Sequence, residues 1–211
     1  EGGEGKVPAQ YQFARVEMAK VAIAEKRYSD AVGLLEECLV YPPHLGEGKL
    51  YGAQENDFYY LLGISYEALG DTDKARQCWE QATLGPTEPA AALYYNDAKP
   101  DKIFYQGLAL LKLGRTAEAN GRFHRLVNYG EKHLFDTVRM DYFAVSLPDL
   151  LIWEDDLQLR NEIHCKYMMA LGYRGLGDRD KSDRYINEVA SLDINHQGIQ
   201  AFVSLMDMAL A

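Results

Sequence analysis

Leu62-Gly63-Ile64-Ser65-Tyr66-Glu67-Ala68-Leu69-Gly70-Asp71-Thr72-Asp73-Lys74-Ala75-Arg76-Gln77-Cys78-Trp79-Glu80-Gln81-Ala82 reads as two helices joined by a Leu-Gly-Asp turn. Gly63 on the first helix is answered twelve positions later by Ala75 on the second. Two small residues that face each other let antiparallel backbones approach closely. The same spacing returns as Gln106-Gly107-x-x-Leu110 with Ala119, Phe123 and Leu126.

Two further copies register against this pair. An N-terminal copy puts Ala19, Ala22, Ala31, Leu35 and Cys38 at the matching places, with Pro43 as a helix stop. A C-terminal copy puts Ala170, Tyr173, Ser182, Ile186 and Val189 there, and its Leu176-Gly177 turn repeats Leu69-Gly70 and Leu113-Gly114. The pattern resembles the tetratricopeptide repeat, a helix–turn–helix unit that buries its apolar face only by stacking on neighbours. That resemblance implies an all-α fold, an α-α superhelix of about four helical hairpins with inserted loops and a C-terminal capping helix.

Helices are predicted at 8–25, 28–40, 57–69, 72–84, 102–113, 116–129, 157–176, 181–192 and 197–210. The hairpins then occupy 8–41, 57–84, 102–129 and 157–192 within a single repeat domain, 8–211, preceded by a linker at 1–7. The last helix carries Ile199, Phe202, Val203 and Met206 at helical spacing and is expected to cover the open end of the stack.

Composition removes several functional classes. The chain has 211 residues, 47% of them hydrophobic, and a formal charge of −10. It shows no basic stripe, which argues against nucleic acid or an anionic membrane surface as a partner. No apolar run approaches the roughly 20 residues of a membrane span. The opening Glu1-Gly2-Gly3-Glu4-Gly5 without an initiator Met reads as an excerpt from a longer protein. Localisation stays open, with the cytoplasm favoured because no charged-then-apolar leader and no disulfide framework are present. Cys38, Cys78 and Cys165 are odd in number, far apart in sequence and expected as buried thiols. The five histidines form no His-x-x-x-His pair, and there is no nucleophile elbow, phosphate loop or dinucleotide fingerprint. No metal, cofactor or catalytic residue is assigned.

The breaks in the period carry more functional information than the period. From Ala19 to Gly63 and from Gly63 to Gly107 the spacing is 44 residues, and from Gly107 to Ala170 it is 63. Against a repeat of about 34 the excess is about 10, 10 and 29 residues. Each excess lies between one hairpin and the next, so all three insertions should emerge on one edge, beside the N-terminal ends of the first helices. Aromatic rings beside carboxylates and amides recur there, a mixture suited to stacking and hydrogen bonding with a polar ligand. The candidate ligand-binding residues on this edge are Glu47, Lys49, Gln54, Glu55, Tyr95, Asn96, Asp141, Trp153, Arg160 and His164. Packing of the insertions against each other is the competing and preferred reading. Asp57 and Asp101, near helix starts, read as caps.

The concave groove is expected to be lined by Tyr60, Glu67, Phe104, Tyr167 and Arg174. Chaperone-binding tetratricopeptide proteins place Lys and Asn in such a groove to clamp a carboxylate. Here Val16 and Lys20, Tyr60 and Ile64, and Phe104 and Leu108 take those places, so the clamp is absent and the groove suits an apolar segment or the chain's own insertions.

A narrower resemblance rests on the insertions. Gly46-Glu47-Gly48-Lys49 with Gly52-Ala53-Gln54-Glu55-Asn56, Tyr94-Tyr95-Asn96-Asp97, Asp141-Tyr142-Phe143-Ala144-Val145-Ser146-Leu147-Pro148-Asp149 and Arg160-Asn161-Glu162-Ile163-His164 look like the repeat region of a family of large bacterial proteins. Those proteins carry an uncharacterised N-terminal β-rich domain in a setting suggestive of carbohydrate use. Two functions follow as expectations: a non-enzymatic interaction or scaffold module docking a protein partner or its own N-terminal domain, and, as the alternative, a carbohydrate-binding or accessory module of a carbohydrate-active multidomain enzyme.

Overall fold

The computed structural model describes residues 6–46, 48–49, 52–91, 97–138 and 156–208. Among them the chain forms nine α-helices, one 3₁₀ turn and no strand. In order these are α1 (Lys6–Ala24), α2 (Tyr28–Cys38), the 3₁₀ turn Pro43–Leu45, α3 (Asn56–Ala68), α4 (Thr72–Ala82), α5 (Pro100–Lys112), α6 (Thr116–His133), α7 (Leu157–Gly175), α8 (Arg179–Leu192) and α9 (Gln197–Asp207). Each odd-numbered helix from α1 to α7 packs on its successor as a hairpin, and α1, α3, α5 and α7 touch in sequence as an inner row. This is an α-α superhelix. No helix among the described residues is long and apolar enough to cross a membrane.

The small-residue pairs sit where the spacing puts them. Ala19, Ala31, Ala75, Ala119, Ala170 and Ser182 are buried, and Ser182 Oγ donates to the Ala170 carbonyl at 2.8 Å, the same twelve-residue relation. A Cβ placed on Gly63 would come within 2.2 Å of the Trp79 ring, and one on Gly107 within 2.2 Å of Phe123. The two glycines are thus required by the bulk opposite them.

Four turns close the four hairpins with one geometry. Gly70, Gly114 and Gly177 take φ of +85°, +75° and +84°, and in the first hairpin Lys26 holds the same conformation at φ 61°. In each case the next amide reaches back to close the end of the preceding helix, as in Asp71 N to Tyr66 O and Arg27 N to Ala22 O.

The boundaries differ from expectation for local reasons. α5 starts at Pro100 because the ring's fixed φ suits the first turn and its missing N–H costs no bond there. α6 runs past 129 to His133 because Gly130 lies against Met169 and the Cys165 carbonyl of α7, and Gly172 of α7 lies against the Phe123 carbonyl of α6. These glycines hold α6 and α7 together although the longest insertion separates them in sequence. Asp57 and Asp101 are not helix caps. The cap positions are Glu55 and Lys99, and both aspartates lie in the first turns that follow.

α9 packs on the last hairpin through α7 and α8 and also crosses the concave side to α1. Gln10 and Gln197 exchange amide hydrogen bonds at 3.2 and 3.1 Å, and Lys20 Nζ donates to the Ala201 carbonyl at 2.9 Å. The inner row is therefore bent far enough for the first and last helices to meet.

Candidate functional site

Where α1 and α9 approach each other, the concave side retains a cavity of about 910 Å³. Its walls come from the inner helices, from Gly52–Gln54, from residues 97–102 at the start of α5, and from the α8–α9 connection with α9. Described residues of the insertion-bearing edge thus form part of the wall of this space.

Side chains of one insertion bond the backbone of the next. Gln54 donates to the Asp97 carbonyl at 3.1 Å and accepts from the Lys99 amide at 3.1 Å. His164 Nε2 lies 2.8 Å from the Ala90 carbonyl, which can only accept, so this nitrogen carries the proton. Asn56 donates to the Ala82 and Leu84 carbonyls, both at 2.8 Å, and so closes the end of α4 from the start of α3. Gln106 ties Leu84 and Pro86 in the same way, at 3.1 and 2.9 Å.

Buried charges of the cavity pair with one another. Lys102 Nζ lies 2.5 Å from Asp57 Oδ1 and 3.6 Å from Asp101 Oδ2. Burial pushes the Asp57 carboxyl up, against the pull of Lys102. Burial also works against the Lys102 ammonium, but the two carboxylates outweigh it and raise its pKa. Lys20 is 1% exposed, and burial lowers its pKa despite Glu17 at 2.5 Å. Burial keeps His164 and His196 neutral, with lowered pKa values, and His196 Nδ1 accepts from the Ile199 amide at 3.0 Å as the cap of α9. The Tyr105 and Tyr167 phenols are buried and held far above their ordinary pKa. Phe13, Phe58 and Phe104 add apolar faces to the wall.

Of the residues singled out from the sequence, Gln54, Arg160, His164, Phe104 and Tyr167 line this cavity. Lys49 and Glu55 stand apart, joined to each other at 2.5 Å. Glu47, Tyr95, Asn96, Asp141 and Trp153 lie outside the described residues. Tyr60 is buried against Tyr105 with ring centroids 5.6 Å apart, Glu67 pairs with Lys112 at 2.8 Å, and Arg174 pairs with Asp183 on α8. Among the described residues α9 is seated in the groove, an apolar segment of the chain itself, and Gly52–Gln54, Asp97 and Lys99 of the insertions line the same space. Phe202 meets Phe104 edge to face at 5.3 Å, and His196 packs on Tyr167 at 4.9 Å. The Asp57–Lys102–Asp101 group escaped the sequence reading because its members belong to different hairpins. The single available signal was an acidic residue opening both α3 and α5.

Stacked antiparallel hairpins with a shared inner row define a helical-repeat protein. Residues 57–84 match a family model described as Tetratricopeptide repeat, and residues 103–129 match a second model of the same description. The hairpins α3–α4 and α5–α6 are therefore tetratricopeptide repeats, units that generally mediate protein–protein interaction or scaffolding. No solved structure matches the chain.

Proposed function

We propose that the chain is a non-enzymatic protein-interaction or scaffold module that docks a partner through its concave groove and insertion-bearing edge. The observation that carries this reading is the 910 Å³ cavity at that edge, walled by aromatic faces and by the ion-paired Lys102, Asp57 and Asp101. Such a wall favours stacking and hydrogen bonding over proton transfer, because burial lowers the pKa of His164 and His196, and Lys20 and Lys102 are engaged. Gln54, Arg160 and His164 are the proposed contacts within the cavity, and Lys49 and Glu55, which pair with each other outside its lining, are proposed contacts on the same edge. Glu47, Tyr95, Asn96, Asp141 and Trp153 complete the proposed set from the sequence. The partner is another protein or the N-terminal part of a longer chain in which residues 8–211 form one repeat domain, as the resemblance to large bacterial proteins suggests.

The test is a displayed random-peptide library and a glycan array, both screened against the full chain. Peptide binders that lose about tenfold or more in affinity on Arg160→Ala or Phe13→Ala, with an unchanged melting temperature, are the expected result. Binding of glycans alone moves the function to carbohydrate recognition. Peptide binders indifferent to both substitutions remove the edge as the docking surface.

A further inference from the structure

α1 is apolar on two faces. Val16, Ala19, Ala22 and Ile23 are buried in the stack, while Val7, Ala14, Met18 and Val21 form a second stripe at helical spacing that is open to solvent, with Met18 52% and Val21 55% exposed. A helix apolar all round is ordinarily buried all round. The rest of the inner row shows how. Through the repeat register, Met18 corresponds to Leu62 of α3, Gln106 of α5 and Met169 of α7, and Val21 corresponds to Ser65, Ala109 and Gly172. All six counterparts are buried. Each inner helix after α1 is covered by the outer helix of the hairpin before it: α2 packs on α3, α4 on α5 and α6 on α7. At the last junction a Cβ on Gly172 would come within 2.6 Å of Val127, and one on Gly130 within 2.6 Å of Met169. At the middle junction Gln106 donates to the Pro86 carbonyl at 2.9 Å, and Pro86 holds the register position of Gly130. The contacts at Met169 and at Gln106 thus join the same pair of register positions, and Met18 is the inner member of a third such pair.

We infer that the stripe from Val7 to Val21 is a further junction of this kind, and that it takes the outer helix of an additional repeat hairpin lying ahead of α1 in a longer chain. The inference is independent of the docking proposed at the groove and edge, because none of the stripe's residues lines the cavity. The existing junctions also specify the incoming helix. Toward the next inner helix, α2, α4 and α6 carry a large apolar residue at Leu35, Trp79 and Phe123, and seven positions later Pro42, Pro86 and Gly130. Between them Leu39, Thr83 and Val127 stand, by the same register, opposite the small Ser65, Ala109 and Gly172. Val21 is larger than any of these three, so close packing moves the small residue to the other side of the contact. The incoming helix therefore reads large apolar, then Ala or Gly four positions on, then Pro or Gly three positions further. A second copy stacked head to tail does not fit this description. At the places of Val127 and Gly130 its α8 carries the exposed Ala190 and then Asp193, which would bring a carboxylate onto Met18.

The experiment extends the full chain, ahead of Lys6, with a copy of residues 56–93 carrying Thr83→Ala, a join that keeps 44 residues from Gly63 of the copy to Ala19. A single hairpin cannot bury its apolar face alone, so its helicity reports docking. Helical circular dichroism should rise in proportion to the added hairpin, the melting temperature should rise by about 5 °C or more, and amide exchange in α1 should slow about tenfold or more. Met18→Lys should abolish these gains in the extended chain and leave the melting temperature of the parent chain unchanged, because Met18 is exposed there. Extension without a gain in helicity or melting temperature overturns the inference, as does a gain that Met18→Lys leaves intact. A parent chain that sediments as a dimer, and as a monomer once Met18→Lys is introduced, assigns the stripe to a second copy and overturns the hairpin as its occupant. Peptide binding at the insertion edge is read separately through Arg160→Ala, so either proposal can fail without the other.

Discussion

The two edges of the stack are built by different physics. On one edge, residues 25–27, 69–71, 113–115 and 176–178 repeat a single backbone turn, closed by amides that reach back five residues within the same hairpin. On the other, bonds among the described residues cross between hairpins: Gln54 to Asp97 and Lys99, His164 to Ala90, Lys102 to Asp57. The first edge is local and repeatable, which suits a scaffold. The second is assembled from side chains far apart in sequence, which suits a site.

The largest expected effect attacks what both edges share. Gly107→Ala places a methyl group 2.2 Å from a Phe123 ring that Phe104 holds from another side at 5.7 Å. Overpacking of this kind costs about 3 kcal/mol, while the gain in helix propensity is about 1 kcal/mol, so a net loss of about 2 kcal/mol is expected in urea unfolding. A neutral outcome would mean the third hairpin does not set the spacing of the stack. Asn56→Ala separates the edges more cleanly. It leaves the buried Ala82 carbonyl without a side-chain donor and the Leu84 carbonyl with Gln106 alone, a cost of about 1–2 kcal/mol. Hydrogen exchange should quicken at the end of α4 and the start of α5, with the turn at Gly70 unchanged. Equal loosening of that turn would show the two edges to be one cooperative unit.

The contrast also explains what the sequence revealed. The hairpins were legible because their cause lies within about twenty residues: a glycine, a ring sixteen positions on, and a Leu-Gly turn between them. Even Ser182, an imperfect match to the small-residue pattern, proved to bond Ala170 across the expected spacing. The edge was legible only in place and composition. Asp57 and Asp101 each look like helix caps in isolation, and only folding shows that they share Lys102. The fate of the groove was hidden for a related reason: the spacing of Ile199, Phe202 and Leu205 marks an apolar stripe but not which of two apolar surfaces it will cover.

Acid should distinguish the edges without denaturing the stack. Burial holds the folded pKa of His164 and His196 below the ordinary histidine value of 6.5. Between the folded and unfolded values the unfolded chain binds more protons, so their contribution is complete above about pH 6.5 and declines as pH falls through the depressed values. Protonated His196 also loses the acceptor that caps α9. On the turn edge, Lys181 holds the Asp178 carboxyl below its ordinary range, so that cap persists to much lower pH. Amide exchange in α9 should therefore rise on going from about pH 7 to pH 5 while the 176–178 turn stays protected. Asp57, raised by burial, acts in the opposite sense, and an Asp57→Asn variant isolates the histidine effect. Flat exchange in α9 across this range would show that the His196 cap does not hold the helix.

The smallest effect tests whether the turn edge is as uniform as its geometry. Lys26 is exposed and holds φ 61° where the other three hairpins use glycine. A side chain in the left-handed region costs about 1–2 kcal/mol, and glycine there costs about 0.5–1 kcal/mol in unfolded-state entropy. Lys26→Gly should therefore raise stability by about 0.5 kcal/mol, seen as a small increase in melting temperature with no change at the insertion edge. The reciprocal Gly70→Lys should lower stability by a similar amount or more, because the central hairpin is stacked on both sides and has less freedom to relax. Opposite signs for the two substitutions would establish that one turn conformation is imposed on all four hairpins; a loss of stability from Lys26→Gly would show that the first turn is held by its own ion pairs, Arg27 with Glu25 and Asp30, and not by the conformation the others share.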